Sequence, residues 1–575
     1  MIIYIYAYSY NDETFGYIDL NKSLNAASSP QPYAGVPSCA NKGLLTDLAR
    51  KQWGFNGYIT TDCGAADYVG GFLDRNGYPA TAADTVYAVL GAGVDTDCGG
   101  AGTPRWSNAT LLSLLTNAST TKRITPVVDA ALRRLFTVRM RLGHFDPPSA
   151  TPWGTWGLEQ VDTPDHRALA LDAALQGFVL LQNNRGTTGS NGSTRGLPLD
   201  VHAKIAVLGP NILGNAGWQL GNYHERQVPH GVLVSPCVGM QQVAAASGVV
   251  TCVQPKDCTI GGNASCFSAE SATAIASADA VVLFVGLDGS QEAEGHDKTS
   301  LLLPGTQQAM VDAATDAVHR ADPHKKKTVV VVVMGGSAVD LSTLKANPTI
   351  DAIVWVGYPG QAGGVAIATA LYGRENRWGK SPFTWYDEGF CRLANLSDYR
   401  MRPDVASGYP GRTHRFYTGT PVFTFGTGLS FTTFSRTLAW QTGTQQRGVG
   451  KQLQPVQLVV HRWTSGGMGD PERVVATLSI DVTNNGNRTG DEVVLVYVVP
   501  PHGVIESGAP RQQLVAFTRV TLAAGESTRV SLGIKQRHLQ LALVGSSSNR
   551  SGGVWRARVN EDEVTALRFT LKMEM

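Results

Sequence analysis

Charged side chains and long apolar runs are both scarce in this sequence. Of its 575 residues 16% are charged, and 48 basic side chains nearly balance 46 acidic ones, for a net charge of +2. Globular proteins average about 25% charged residues, and disordered or nucleic-acid-binding chains usually carry an excess of one sign. The longest apolar candidate, TVVVVVM at 328–334, has strand length, whereas a membrane helix needs about 18 apolar residues. We expect a folded protein of several domains, with neither nucleic acid nor a membrane as a partner.

Metal-binding and redox patterns are missing as well. The eight cysteines form no CxxC pair, no HExxH motif occurs, and no cysteine and histidine group has zinc spacing. No metal or cofactor is therefore expected. Four of the cysteines crowd into 237–266, where a local disulfide, with Cys258–Cys266 as the favoured pair, suits an oxidising compartment.

Glycosylation sequons point to the same compartment. They begin at Asn21, Asn108, Asn117, Asn191, Asn263, Asn395, Asn487 and Asn549. The first residues, MIIYIYAYSYND, have no basic region, too short an apolar core and no small-residue cleavage site for a signal peptide. Secretion is expected of a full-length parent. The sequence does not determine the oligomeric state, and a homodimer is one of the alternatives.

Extended and helical segments alternate over residues 1–150. The predicted elements are a strand at 2–10, a helix at 42–53, a strand at 57–63, a helix at 83–93, a strand at 94–100 and an amphipathic helix at 125–142. A stretch rich in proline, glycine and tryptophan at 144–157 then predicts a linker between domains.

Apolar runs without alternation dominate the next segment. GFVLLQ, KIAVLGP, AVVLFVG, TVVVVVMGG and AIVWVGYPG are joined by stretches long enough for helices, which is typical of parallel strands buried on both faces. From about residue 455 apolar and polar residues alternate around NNG and AAGES turns, which predicts a small β-sandwich. The predicted domains are 1–150 and 151–390, both α/β, a linker segment at 391–454, and the sandwich at 455–575.

Two acidic segments follow predicted strands. Asp62 lies where the strand GYITTDC ends, a place where parallel sheets carry catalytic side chains, although capping of the next turn is the alternative. QEAEGHDK at 291–298 follows the buried strand AVVLFVG, and mutual repulsion among its carboxylates would raise the pKa of a general acid. A solvated acidic loop is the alternative reading of that segment.

The remaining polar and aromatic features receive no independent role. His296 is a lone loop histidine, and in GRENRWGKS five residues separate Gly373 from Gly379 where a phosphate loop has four, while Pro382 blocks the required helix. Nucleotide binding is not expected. Aromatic residues are usually core residues, and four count as sugar-stacking surfaces only if other residues establish a site. These are Tyr10, Tyr68, Trp355 and Tyr358, of which Tyr10 and Tyr68 are the expected substrate-binding residues.

From about residue 5 to the end, the motifs together resemble the β-xylosidase and α-arabinofuranosidase branch of glycoside hydrolase family 3. They include AYSYN, GVPSCANKGLL, WGFNGYITTDCGAA, GVDTDCGG, GLDGSQEAEGHDK, GYPGQAGG, MRPDVASGYPGRTHRFYTGTPVFTFGTGLSFTTF and a fibronectin-III-like tail. The resemblance implies a partial (β/α)8 barrel in 1–150, an α/β sandwich domain, and a fibronectin type III-like domain.

The resemblance also implies retaining hydrolysis of a terminal β-linked sugar of an oligosaccharide. Asp62 matches the family's nucleophile, and Glu292 aligns with the first glutamate of its E-x-E-G-x-D-R motif, which makes it the expected acid/base; Glu294 is the reserve. A retaining mechanism needs the two carboxyls about 5–5.5 Å apart. Glu294 and Asp297 are expected to help keep Glu292 protonated near neutral pH.

Two departures from the family pattern bear on function. Lys298 replaces an arginine and loses its forked donor, which would slacken the loop. About five barrel strands that carry much of the sugar subsite have no counterpart in these 575 residues. The expected activity is release of terminal xylose from xylo-oligosaccharides; the alternatives are a β-glucosidase of the same family and a catalytically inactive carbohydrate-binding fragment.

Overall fold

The computed structural model divides the chain into two compact units, Met1–Val161 and Asp162–Met575. The structure describes residues 3–5, 38–61, 66, 69, 81–98, 107–184, 196–213, 219–222, 233–294, 296–324, 326–394, 398, 400–441, 456–461, 472–506, 508–540 and 553–574. Among the described helices, none has both the length and the apolar character that crossing a bilayer requires.

The first unit pairs two short parallel strands with helices. Strands β1 (Ile3–Ile5) and β2 (Ile59–Thr61) align from Ile3 opposite Ile59 to Ile5 opposite Thr61. The helices are α1 (Gly43–Gln52, wound as a π-helix), α2 (Ala82–Ala92), α3 (Asn108–Thr116) and α4 (Ala118–Arg141), with 3₁₀ turns at Ser38–Ala40, Pro148–Ala150 and Leu158–Gln160. The strand–helix–strand–helix order expected for the first four elements is therefore present.

The third strand expected at 94–100 is wrong over its described residues, 94–98. Only a single parallel bridge forms there, between Thr60 and Thr96. The buried carboxylate of Asp95 accepts the backbone N–H of Ile59 at 2.8 Å, a donor that a longer ladder would need. The same carboxylate pairs with Arg50 at 2.5 Å and Arg134 at 2.6 Å, so it fixes β2 against α1 and α4.

Helix α4 begins at Ala118, seven residues earlier than the amphipathic pattern at 125–142 predicts. Its N-cap is Asn117, whose side-chain oxygen accepts the backbone N–H of Ser119 at 2.9 Å. Pro126 lies inside the helix. The first turns of this helix are polar, and a proline is typical of the first position of a helix. The apolar periodicity therefore predicts only the later part of the helix.

The second unit opens with a six-stranded sheet in the order β3-β8-β7-β6-β4-β5. Its strands are β3 (Val179–Asn183), β4 (Lys204–Leu208), β5 (Val249–Val253), β6 (Ala280–Gly286), β7 (Thr328–Met334) and β8 (Ala352–Gly357). The helices around it are α5 (Pro164–Gly177), α6 (Pro236–Val243), α7 (Ala269–Ser277), α8 (Gln307–Ala321), α9 (Ser342–Ala346), α10 (Gly363–Leu371), α11 (Gly389–Leu393) and α12 (Thr413–Phe416). Every residue of β6 and β7 is buried, and separate apolar clusters cover the two faces of the sheet.

All five apolar runs form strands, with two differences from expectation. β3 runs antiparallel to β8, whereas parallel pairing was expected throughout. The sheet also gains β5 at its edge, parallel to β4; its sequence VVTCV is a short apolar run, and exposed and half-buried residues alternate along most of it. An apolar run predicts burial but carries no information on strand direction.

Two disulfides brace the sheet's β5 edge. Cys237–Cys252 joins α6 to β5, and Cys258–Cys266, the pair favoured by the sequence, closes the loop that follows β5.

A β-sandwich completes the second unit, with sheets in the orders β10-β16-β15-β12-β13 and β14-β11-β9. Its elements are β9 (Phe434–Trp440), β10 (Val456–His461), β11 (Val474–Asn484), β12 (Gly490–Val499), α13 (His502–Glu506), β13 (Gln513–Leu522), β14 (Ser527–Lys535), α14 (Gln536–Gln540), β15 (Trp555–Val559) and β16 (Asp562–Glu574). Strand β9 lies in the segment expected to be a linker, yet it pairs with β11 from Leu478 opposite Trp440 to Asn484 opposite Phe434. The sandwich therefore begins earlier than residue 455.

Candidate active site

The loop after β6 begins where the chain must leave the sheet. Gly286 has a φ of 141°, and a Cβ there would lie 1.7 Å from the carbonyl oxygen of Met334 in β7, so only glycine fits. Asp288 shapes the next turn: its Oδ1 accepts the N–H of Ser290 at 2.9 Å, and its carbonyl accepts the N–H of Glu292 at 3.0 Å. Glu292 is thereby placed at the carboxyl edge of the parallel sheet.

Both carboxylate oxygens of Glu292 accept hydrogen bonds from neighbouring strand ends. The backbone N–H of Gly336 donates to Oε1 at 2.5 Å, and the hydroxyl of Tyr358 donates to the same oxygen at 2.6 Å. The hydroxyl of Ser337 donates to Oε2. Gly336 and Ser337 follow β7 and Tyr358 follows β8, so three adjacent strands fix the orientation of one carboxyl group.

Tyr358 is suited to be a permanent donor. Its burial, reinforced by the hydrogen bond to Glu292 and by the charge of that residue, raises the pKa of the phenol well above its ordinary value. Two glycines make room for the ring: a Cβ on Gly221 would lie 2.8 Å from Cδ2 of Tyr358, and one on Gly336 would lie 3.1 Å from Cε2. The Gly336 Cβ would also lie 3.3 Å from Oε1 of Glu292, so the position needs a small residue.

Lys298 ties the far end of the loop to the chain after β7. Its Nζ donates to the carbonyl oxygen of Ala338 at 2.9 Å. Burial lowers the pKa of the Lys298 ammonium, and the charge of Glu292 opposes that shift. The lysine lacks the fork of an arginine, but this hydrogen bond still holds the end of the loop beside the strand end that binds Glu292.

Glu294 occupies a different environment from Glu292. Ala293 and His296 exchange backbone hydrogen bonds of 3.3 and 2.9 Å, and Glu294 is exposed on the tight turn that they close. His296 is exposed too. The strand ends therefore hold the first glutamate of the motif. Over the described residues, no group of three or more His, Cys, Asp or Glu side chains is arranged to hold a metal ion.

The other candidates separate into three groups. Asp62, Tyr10 and Tyr68 lie outside the described residues. Trp355 is a buried core residue whose indole N–H donates to the carbonyl of Gly335 at 2.9 Å. Tyr358 does belong to the site, as a hydrogen-bond donor to Glu292.

Sequence reasoning did not find Gly336 and Ser337. The available signal is the GGS that follows the run TVVVVVM: a pair of glycines after a buried strand allows backbone N–H groups to approach a ligand or side chain closely. A carboxyl group fixed at both oxygens can take up and release a proton at a constant position, as general acid–base chemistry requires.

Two family models match this chain. The glycosyl hydrolase family 3 C-terminal domain matches residues 178–431, and the fibronectin type III-like domain matches residues 492–560. Glu292 and its three hydrogen-bond donors all lie inside the first match.

Curated proteins with β-xylosidase names are also similar to this chain. Beta-D-xylosidase 1 of Arabidopsis thaliana is 35% identical over 508 residues, which are 87% of this chain and 60% of the relative. Beta-xylosidase/alpha-L-arabinofuranosidase 2 of Medicago sativa subsp. varia is 33% identical over 527 residues, 90% of this chain and 62% of the relative. The chain spans about three fifths of the length of these relatives.

Solved structures share the fold. A GH3 exo-beta-xylosidase (XlnD) in complex with a xylobiose aziridine activity-based probe matches with a TM-score of 0.72 and 27% identity, covering 94% of this chain and 64% of that chain. A beta-glucosidase from Listeria innocua in complex with isofagomine matches with a TM-score of 0.69 at 20% identity, covering 94% of this chain and 67% of that chain. Residues 178–431 form a glycosyl hydrolase family 3 C-terminal domain, and residues 492–560 form a fibronectin type III-like domain.

Proposed function

We propose that this protein is a retaining exo-glycosidase that releases terminal β-linked xylose from xylo-oligosaccharides. The observation that carries the proposal is the fixed carboxyl group of Glu292, which donors after β7 and β8 hold at both oxygens within the family 3 domain. Relatives named as β-xylosidases support xylose as the sugar.

Each carboxyl group has one role in the proposed mechanism. An oxygen of Asp62 forms a bond to the anomeric carbon while the glycosidic C–O bond breaks and Glu292 gives its proton to the leaving oxygen. Glu292 then takes a proton from water, whose oxygen bonds to the anomeric carbon and displaces Asp62. Tyr358, Ser337 and Gly336 keep the carboxyl group of Glu292 in place through both steps.

Azide rescue separates the two roles. We expect Asp62→Asn and Glu292→Gln to lower hydrolysis of nitrophenyl β-xyloside by the 575-residue chain by at least about a hundredfold. Azide should restore turnover of Glu292→Gly and give β-xylosyl azide, because azide then attacks a glycosyl-enzyme ester; with Asp62→Gly it should give the α-azide.

Glu294→Gln is the matched control and should retain most of the activity. Wild-type rates in both Asp62→Asn and Glu292→Gln would refute the mechanism.

Two other functions are distinguished from xylosidase activity by their substrate or by the absence of turnover. A panel of nitrophenyl glycosides distinguishes xylosidase from β-glucosidase activity. The second candidate is a carbohydrate-binding protein without turnover. It would bind xylo-oligosaccharides in calorimetry and hydrolyse none; measurable turnover dependent on Asp62 excludes it.

Maturation in the secretory pathway belongs to the same proposal. Two disulfides and the exposed sequon residues Asn263 and Asn487 support it. Protein secreted from eukaryotic cells should lose mass when treated with an N-glycan-removing amidase, and an unchanged mass would contradict the glycoprotein assignment.

A further inference from the structure

A large open cavity lies in the second unit beside the Glu292 loop. Its volume is about 1010 Å³, and its walls come from the end of that loop, from the segments that carry α11 and α12, and from β13 of the sandwich. Ser337 lines it and also donates to Glu292, so the cavity and the held carboxyl group share a wall. A cavity of this size admits several sugar residues.

Positive charge dominates the lining. Lys298, Arg392, Arg412 and Arg415 face the cavity, and none of its lining residues, all of which are described, is an aspartate or glutamate. Two carboxylates beside the wall are engaged by lining residues: Glu292 binds Ser337, and a carboxylate oxygen of Glu388 accepts the N–H of Leu301 at 2.6 Å. The cavity therefore presents cations to a ligand and no competing anion of its own.

Much of the donor capacity is unused. Arg412 donates through Nε to the hydroxyl of Tyr409 and through Nη2 to the carbonyl of Asp398, both at 2.6 Å, which leaves Nη1. No hydrogen bond or ion pair with another described residue occupies the guanidinium groups of Arg392 and Arg415, although that of Arg415 lies 5.6 Å from the ring of Phe416. Arginine forks of this kind match the two oxygens of a carboxylate.

Aromatic rings supply the apolar part of the wall. Tyr386 stacks on Phe390 with ring centres 4.0 Å apart, and His414 stacks on Phe425 at 4.1 Å; all four rings line the cavity. Burial and the charges of Arg415 and Arg558 lower the pKa of His414 to about 4, so this ring is neutral in mildly acidic and neutral solution. Rigid pairs of rings suit the C–H faces of sugar rings, while the hydroxyls of Ser300 and Thr413 suit their polar edges.

We propose that this cavity binds an oligosaccharide that carries a carboxylate, namely a chain with a hexuronic acid residue, the carboxylate pairing with Arg392 and Arg415 and the sugar rings lying on the aromatic pairs. The inference rests on the proposed function for its choice of a carbohydrate ligand, since the cavity adjoins the carboxyl group assigned to glycoside cleavage. It adds a preference for acidic over neutral oligosaccharides, which the glycosidase mechanism alone does not require.

Calorimetric titration of the full chain tests this preference. The ligands are xylotetraose, xylotetraose with one glucuronosyl substituent, and inorganic phosphate. We expect the acidic oligosaccharide to bind at least about tenfold more tightly than the neutral one, since a paired carboxylate adds charge-assisted hydrogen bonds. The double variant Arg392→Gln with Arg415→Gln should lose this difference. The control Arg320→Gln removes an exposed arginine of α8 that does not line the cavity, and it should keep the preference for the acidic oligosaccharide.

Three results would overturn the inference. They are equal affinity for the two oligosaccharides, an unchanged preference in the double variant, and phosphate binding as tight as the acidic oligosaccharide. Circular dichroism of the glutamine variants checks that they fold, so that a lost preference reports the missing guanidinium groups and not a misfolded cavity.

Failure of this inference can be told from failure of the proposed function. If nitrophenyl β-xyloside hydrolysis depends on Asp62 and Glu292 while no acidic preference exists, only the inference falls. If the preference exists and depends on the two arginines while hydrolysis is absent, the binding site stands and the glycosidase proposal falls.

Discussion

At the scale of single residues, Tyr358 is the donor to Glu292 that a substitution removes most cleanly. Tyr358→Phe deletes only the hydroxyl that donates to Oε1 at 2.6 Å and leaves the N–H of Gly336 in place. We expect kcat for nitrophenyl β-xyloside to fall on the order of tenfold. The pH–rate profile should change as well, because the hydroxyl acts directly on the carboxyl group of Glu292.

A matched substitution separates positioning from packing. Tyr372→Phe removes the hydroxyl of another buried tyrosine of the same domain, which donates to the carbonyl of Met240 at 3.4 Å. It should leave both kcat and the pH profile unchanged. If Tyr358→Phe alters stability but neither kcat nor the profile, Tyr358 is a packing residue only.

His414 makes stability depend on pH in a defined direction. Burial, with the charges of Arg415 and Arg558, lowers its pKa in the folded state to about 4, against roughly 6.5 for an unfolded histidine. Between these values the unfolded state binds the proton more tightly, so stability is lost as pH falls from about 6.5 through about 4. His414→Phe keeps the ring stacked on Phe425 and should lose less stability over that window.

Urea unfolding at pH 7, 5 and 4 measures this difference. His166→Phe, at an exposed position, is the control and should follow the wild type. Parallel pH profiles for wild type and His414→Phe would show that His414 does not contribute.

The sequence identified the acid/base candidate but not what holds it. The cluster of acidic residues after a buried strand marks the loop, and the resemblance to the family motif selects Glu292 within it. Its donors come from 336–337 and 358, after two other strands, and nothing local to 291–298 specifies them. Tyr358 was visible only as an aromatic residue, because the partner of its hydroxyl is set by the order of strands in the sheet.

At the scale of elements, the end of β6 depends on a glycine. A Cβ on Gly286 would meet the carbonyl oxygen of Met334 at 1.7 Å, and its φ of 141° is unfavourable for any other residue. Gly286→Ala should therefore lower the free energy of unfolding by roughly 3 kcal/mol. Thermal and urea denaturation measure the loss.

Gly289, three residues along the same loop, provides the control. A Cβ there would meet nothing within 4 Å, and its φ lies outside the range that disfavours side chains. Gly289→Ala should change stability by no more than about 0.5 kcal/mol. Equal losses in the two variants would show that the loop as a whole, and not the strand end, is sensitive.

Strands were predictable where burial was continuous. β6 and β7 are buried at every residue, so composition alone marks them. β5 is an edge strand with alternating exposure, and its pairing with β4 comes from the fold around it. The antiparallel direction of β3 and the polar start of α4 are likewise settled by tertiary contacts and a cap, not by apolar pattern.

At the scale of the whole second unit, pairings between distant segments decide the domain limits. β9 joins β11 across about 40 residues of sequence, and only the completed sheet shows that it belongs to the sandwich. Sequence patterns located the α/β layer and the sandwich correctly as separate domains. They could not show which side chains join the two.

Asp491 is the central residue of that join. Its carboxylate is 1% exposed and accepts hydrogen bonds from Arg519 at 3.0 Å and Thr521 at 2.7 Å. Arg377, from the segment after α10, approaches it at 3.5 Å, and Arg519 also donates to the carbonyl of Gln176 at 2.8 Å. One buried carboxylate thus contacts two arginines that connect the sandwich to the α/β layer, and Asp172 supplies a second carboxylate to Arg377.

Removing this carboxylate should uncouple the two domains. Asp491→Ala leaves the partly buried guanidinium group of Arg519 without its carboxylate, while Arg377 keeps its pair with Asp172. Removing one partner of a buried pair costs about 3–5 kcal/mol. Asp481→Ala is the matched control, because Asp481 pairs with Arg529 at 2.6 Å on the exposed face of the sandwich, where such a pair contributes about 0–1 kcal/mol. Calorimetry should show the sandwich of Asp491→Ala melting apart from and below the α/β layer, while Asp481→Ala melts as the wild type does. If both variants melt alike, the domains are held together by apolar contact, and the arginines around Asp491 are not what couples them.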